Sequence, residues 1–267
     1  MKKCRLSGLC GLALASTFPL TVLAENLEES AWGGNAVAYY SQNGFDKDDY
    51  RSIRSLNWSA KGTYKISELY LAYLTSGGYR AYEDETGDFF TDTALGLSRS
   101  SLVEFGETGK VGAQIQLTLP TSEFSRKNDL QSGVRLATSV TANALGIDFY
   151  LSPRYRKNFH EYKTTVNGKV LTEHIVSVVG NVGYGLGDAY FEGTVIGGTS
   201  WTYQGSRRDW TYVGEIKASY PLTENLSAAL SASNSGVYYD AERGTLGNID
   251  LFDEKEATYT ASLTFSF

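Results

Sequence analysis

The sequence predicts an all-β chain: a transmembrane antiparallel up-and-down β-barrel of about twelve strands, with ten as the alternative count. Three observations predict it. Apolar and polar residues alternate with a period of two along most of the chain beyond its amino-terminal segment, as strands between two different solvents require. That region contains no run of about 18 consecutive apolar residues, so it offers no membrane-spanning helix. The first two dozen residues read as an export signal. For an exported chain with this alternation, a closed barrel is the way to cross a bilayer with every backbone hydrogen bond satisfied between strands.

The signal is assigned to residues 1–24 and the barrel to residues 25–267. Lys2, Lys3 and Arg5 form a basic start, an apolar run extends from Leu6 to Leu23, and Val22-Leu23-Ala24 offers a cleavage point before Glu25. Cys10 follows Leu9 rather than a small residue, which argues against a lipoprotein. Cys4 and Cys10 both leave with the signal, so the mature chain has neither disulfide nor thiolate chemistry. Cleavage removes three of the 24 basic residues and none of the 30 acidic ones, taking the net charge from −6 to −9. A chain this acidic lacks the basic surface that phosphate contacts need, which excludes nucleic acid as a partner.

In chain order, residues 33–41 are the first candidate strand, followed by an acidic loop with Asp46, Asp48 and Asp49. The second covers about 50–60 and turns near 61–67; the third, 68–75, opens into a long acidic loop containing Glu83, Asp84, Glu85 and Asp88. The fourth covers about 89–99, and weak alternation from Tyr50 to Leu102 is why ten strands is the alternative count. The fifth, 109–119, sets Val111, Ala113, Ile115, Leu117 and Leu119 on one face and Gly112, Gln114, Gln116 and Thr118 on the other. After a loop over 120–129, the sixth (about 130–141) faces Arg135, Ser139 and Thr141 inward.

The seventh strand starts at Gly146 and faces Asp148, Tyr150, Ser152, Arg154 and Arg156 inward; Pro153, with no ladder donor, predicts a bulge or local break. A tall hairpin follows, its tip at Asn167-Gly168 suited to a type I′ turn. The eighth returns through Val176, Val178, Val182 and Tyr184 to a tight turn over 185–188. The ninth (189–203) and tenth (209–220) flank a loop beside which Trp201, Tyr203, Trp210 and Tyr212 gather as an aromatic girdle. The eleventh alternates Leu226, Ala228, Leu230 and Ala232 with serines, and a long loop over 244–253 precedes the last strand.

That last strand, residues 256–267, alternates Ala257, Tyr259, Ala261, Leu263, Phe265 and Phe267 with Thr and Ser. The ending, with Tyr259, Leu263 and Phe265 before a final Phe267, resembles the insertion signal of Gram-negative outer-membrane β-barrel proteins, the porin-like superfamily. The resemblance implies an outer-membrane location with both termini in the periplasm. It implies lipid and lipopolysaccharide as surroundings, and periplasmic chaperones and the barrel assembly machinery as partners. Counted from a periplasmic end, the longer connections fall outside and the short turns inside, as in such barrels.

Candidate chemistry is sparse. His160 and His174 flank the tall hairpin, as a rim base or ligand pair would. Outer-membrane phospholipase places its histidine one residue from a serine followed by Asn-Gly; here His174 precedes Ile175-Val176-Ser177, and alternation puts His174 and Ser177 on opposite faces. The acidic runs lack EF-hand spacing, and residues 106–110 are a turn and residues 183–187 a glycine-rich strand end rather than phosphate loops. No enzyme chemistry, metal or cofactor is expected.

The inward charges carry the information: Arg135, Asp148, Arg154, Arg156, Glu192, Glu215 and Lys217 all fall on the polar face. They either line a water-filled pore and select solutes by charge or pair and close the interior. Arg135, Arg154 and Arg156 form a basic ladder on neighbouring strands, and Glu215 and Lys217 share a face for pairing. Eight-stranded barrels are filled by side chains and wider ones begin to leave room. The expected function is therefore a narrow channel for small hydrophilic solutes. A non-conducting structural or surface-interaction barrel and an outer-membrane lipid hydrolase are the alternatives. Oligomeric state is not written in the sequence.

Overall fold

The computed structural model describes residues 30–83, 86–238 and 253–267. The expected signal peptide with both cysteines, Asp84 and Glu85, and the loop expected over 244–253 apart from Asp253 lie outside the described residues. The described chain forms β1 (Trp32–Asn43), β2 (Arg54–Lys65), β3 (Tyr70–Ala81), β4 (Gly87–Phe90), β5 (Thr93–Phe105) and β6 (Gly109–Leu119). A one-turn helix α1 (Glu123–Lys127) follows, then β7 (Leu130–Ala144), β8 (Ile147–His160), β9 (Thr172–Leu186), β10 (Ala189–Thr202), β11 (Trp210–Pro221), β12 (Leu226–Tyr238) and β13 (Thr258–Ser266). Sequential strands pair antiparallel, and β1 pairs with both β2 and β13, so the sheet closes on itself. Twelve strands make the wall, as the alternation predicts. The short β4 lies outside that count and pairs only with β3, beyond the β3–β5 ladder.

Alternation sets the two faces. Leu97, Ile115, Leu136 and Tyr155 stand in one cross-strand row on β5 to β8, and all four are exposed. One residue along each strand, Gly96, Gln116, Arg135 and Arg156 form the adjacent row on the opposite face, where Gln116 is buried. An apolar band exposed around a whole wall would aggregate in water; against lipid tails it is the favourable arrangement. Tyr64, Tyr70, Phe149, Tyr184, Phe191 and Tyr220 are exposed near the rim of short turns, and Trp58, Phe90, Phe159 and Trp210 near the other. Trp201, Trp210 and Tyr212 lie on the outer face by register, as a girdle requires. Tyr203 does not: its hydroxyl donates to the Asn158 carbonyl at 2.8 Å and ties the loop after β10 to the end of β8.

Several boundaries shift for local reasons. β2 begins at Arg54 rather than Tyr50, because Asn43 closes the preceding loop by donating to the Arg51 carbonyl (2.7 Å) and accepting from the Ile53 N–H (3.0 Å). β2 runs on through Lys61-Gly62, which reads as a turn in sequence. β3 continues through Gly77-Gly78 to Ala81 and β4 begins at Gly87, so Asp88, expected in the long acidic loop, sits in β4 opposite Arg80. β5 extends to Phe105 through an irregularity between Arg99 and Val103.

Pro153 breaks the ladder without shifting it. The β7–β8 pairing lapses between Ala137↔Arg154 and Val140↔Leu151 and resumes in the same register. Ser152, almost fully buried, donates its hydroxyl to the Thr138 carbonyl at 2.7 Å, supplying the donor that the neighbouring proline lacks. The tall hairpin's tip is not type I′. Only Gly168 has positive φ there (75°), after a turn closed by its N–H on the Thr165 carbonyl. The two-positive-φ turn is instead Leu145-Gly146 (55° and 77°), joining β7 to β8.

The break between β4 and β5 is filled by the loop over residues 120–129. Thr121 Oγ1 accepts from the Thr93 N–H (2.8 Å) and donates to the Thr91 carbonyl (3.0 Å). Asp92 accepts from the Ser122 N–H (3.0 Å) and the Ser125 hydroxyl (2.6 Å), fastening the capped start of α1 to the wall.

Candidate functional site

The inner face carries one continuous row in register across six strands: Thr63, Tyr73, Gly96, Gln116, Arg135 and Arg156 on β2, β3, β5, β6, β7 and β8. Like charges directly opposite repel, and the Arg135–Arg156 pair relieves this by turning apart. Arg156 lies over Gly133, where a Cβ would come within 2.9 Å of its Nη2, and donates from Nε to Asn158 Oδ1 at 2.7 Å. Arg154, opposite Ala137, leans to Ser152 Oγ at 3.4 Å. Arg135 turns along the row and donates from Nη2 to Gln116 Oε1. Its Nε is buried with no hydrogen-bond partner. Among the described residues, no carboxylate comes within ion-pair distance of Arg135 or Arg154.

The wall formed by β10 and β11 is different. Glu192 and Lys217 are direct cross-strand partners, and Lys217 Nζ donates to Glu192 Oε2 at 2.7 Å. The lysine therefore pairs with Glu192 and not with Glu215, as sequence spacing suggests. A cross-strand partner is nearer than an i+2 neighbour on one strand. Glu215 faces inward between Thr194 and Ser233. Asp148 lies near the short-turn rim, accepting from Asn143 Nδ2 (2.7 Å) and the Tyr190 hydroxyl (2.8 Å). Val179 and Ile196, paired across β9 and β10, are buried on the inner face, so part of the interior is apolar and packed.

The remaining candidates have local partners. Tyr155's hydroxyl meets His174 Nδ1 at 2.8 Å on the outer side, and Tyr203's hydroxyl meets His160 Nδ1 at 3.2 Å. Asp49 is clamped by Arg51 (2.7 Å), whose guanidinium holds its carboxyl down at about 2; Asp88 is clamped by Arg80 (2.6 Å). Gly106 and Gly187, with φ of 58° and 60°, are turn positions. On β13, Tyr259, Leu263 and Phe265 are exposed on the outer face, and Phe267 exchanges backbone hydrogen bonds with Gly34.

Sequence reasoning misses Tyr73. Its hydroxyl donates to Gln116 Oε1 at 3.0 Å and accepts from Gln114 Nε2, and Lys61 Nζ stands 5.3 Å from its ring centroid. A tyrosine in a barrel strand reads as an interface residue. Only the register shows that Gly96 is the opening through which the ring reaches β6: a Cβ there would lie 2.0 Å from Tyr73 Cζ.

No protein-family model and no curated protein matches the sequence. Solved structures do. An outer-membrane channel from Pseudomonas putida F1 superposes with a TM-score of 0.62 at 12% identity, over 91% of this chain and 97% of that one. The NanC porin gives 0.58 at 12% identity, over 88% of this chain and 100% of that one. The KdgM porin gives 0.50 at 12% identity, over 87% and 99%. Likenesses at this identity, joined to the closed wall and its outward apolar band, show that the chain has the fold of the porin-like outer-membrane β-barrels in a twelve-stranded form.

Proposed function

We propose that this barrel is a narrow channel in the outer membrane of a Gram-negative bacterium, passing small hydrophilic solutes with a preference for anions. One observation carries the reading: Arg135, Arg154 and Arg156 stand together on the inner wall, and no described carboxylate is within ion-pair distance of the first two. Uncompensated guanidiniums are costly in a packed interior and favourable beside water and passing anions. Asp148, Glu192, Glu215 and Lys217 add to the charged lining, as does Lys61 on β2. The channels and porins with the same fold support the reading. The chain reaches its site with a cleaved signal peptide, and Tyr259, Leu263, Phe265 and Phe267 serve as its assembly signal for periplasmic chaperones and the barrel assembly machinery, amid lipid and lipopolysaccharide.

Single-channel recording of refolded residues 25–267 in a planar bilayer tests this. Discrete, anion-preferring steps are expected, and Arg154→Ala with Arg156→Ala should move the reversal potential toward cations. A heat-modifiable, folded barrel without conductance would assign the interior to a plug, and an unmoved reversal potential would remove the filter. Loss of membrane insertion on replacing Phe267 by Ala is the expected check on the assembly signal.

A further inference from the structure

We infer that Tyr73 determines the channel's selectivity from a distance, by fixing through Gln116 the direction in which Arg135 presents its guanidinium. The inference rests on the basic wall being a filter. Tyr73 sits on β3 and is buried, so its ring is not a surface for solute. It lies across β5 at Gly96 and delivers its hydroxyl to β6. There, Gln116 Oε1 accepts from two donors at once, the Tyr73 hydroxyl and Arg135 Nη2. An amide oxygen has two lone pairs, so both are committed and the amide is held in one orientation. The phenol oxygen is held in turn by Gln114 Nε2. Arg135, which has no carboxylate to aim it, is thereby aimed by a neutral relay three strands long. Its charge stays uncancelled and its Nε stays without a partner. A carboxylate in the place of Gln116 would aim the arginine equally well and neutralise it. The relay does the first without the second.

Reversal potentials under a salt gradient test this with wild type, Tyr73→Phe, Arg135→Gln and the double variant. Tyr73→Phe keeps the ring over Gly96 and removes only the oxygen. It should lower the anion-over-cation ratio by about twofold to fivefold, the scale of redirecting one unit charge in a wet pore. In the Arg135→Gln background, it should have no further effect. Gln116→Met leaves the phenol in place, removes the amide that joins it to Arg135 and should shift the ratio in the same direction. Heat-modifiability on gels reports folding; if Tyr73→Phe does not refold, Gln116→Met is judged by the same criteria. An unchanged ratio in Tyr73→Phe, where Arg135→Gln shifts it, overturns the inference and leaves the filter standing. Additive effects in the double variant also overturn it, since Tyr73 would then act independently of Arg135. An unchanged ratio in Arg135→Gln overturns the filter and the inference together.

Discussion

The two halves of the inner wall solve the same problem in opposite ways. Across β6 to β8, arginines are oriented by neutral acceptors: Gln116 for Arg135, Ser152 for Arg154 and Asn158 for Arg156. Across β10 and β11, a lysine is oriented by a carboxylate, Glu192, at 2.7 Å. The first arrangement keeps positive charge available, and the second cancels it in place. Each half also contains a tyrosine that reaches over a glycine to a farther strand. Tyr73 passes Gly96 to meet Gln116, and Tyr190 passes Gly183 to meet Asp148. The shared device starts from opposite halves and ends on an amide of β6 in one case and on an acid at the short-turn end of β8 in the other. On the proposed function, selectivity would follow the chemistry at the end of the reach, and the reach itself belongs to the barrel's construction.

The largest expected effect breaks the reach. Gly96→Ala places a Cβ 2.0 Å from Tyr73 Cζ, so the ring must leave its slot with both hydroxyl hydrogen bonds. Overpacking of this kind costs about 1–3 kcal/mol. Gly180→Ala meets nothing within 4 Å and should stay within about 0.5 kcal/mol of wild type. Urea unfolding from lipid vesicles compares the two. Equal midpoints would mean that Tyr73 is not packed across Gly96.

A smaller effect erases the difference between the walls. Glu192→Gln leaves Lys217 charged beside a neutral partner and takes the inward charge of this wall (Glu192, Glu215 and Lys217) from −1 to 0. The anion-over-cation ratio should rise by about fivefold, the scale of one added unit charge at high effective dielectric. Lys217→Gln should move the ratio the other way, and the double variant should return it near wild type. Shifts of the same sign in both single variants would show that the pair acts through packing instead of charge.

How much of this was legible in the sequence depends on which contacts lie along a strand and which lie across strands. β6 is bounded at Gly109 and Leu119 as the alternation predicts, because its two faces are chemically distinct along its full length. β3 and β5 are not, because Gly77-Gly78 and the irregular stretch after Arg99 mimic stops that the neighbouring strands override. Face assignments for Arg135, Arg154 and Arg156 need only the period of two, and so could be read. The Glu192–Lys217 pair and the Tyr73 relay need the register between strands, which no single strand carries. The same holds for the Asp92 clasp on the loop around α1, whose partners are some thirty residues away.

The smallest expected effect separates the two tyrosines. Tyr190→Phe removes one hydrogen bond to Asp148, which keeps Asn143 as a donor. Asp148 is exposed, so water replaces the lost donor, and the cost should be about 0.5–1 kcal/mol in the same urea assay. The reversal potential should not move, because the phenol is neutral and directs no charged side chain other than an acid that Asn143 also holds. Tyr73→Phe, an identical chemical change, should move it, because there the hydroxyl directs an arginine that has no acid to hold it. The same deletion on both walls therefore reads stability in one half and selectivity in the other. Two equal shifts in reversal potential would show instead that each phenol contributes to the permeation path directly, and the distinction between an aimed charge and a cancelled one would no longer account for the barrel's preference.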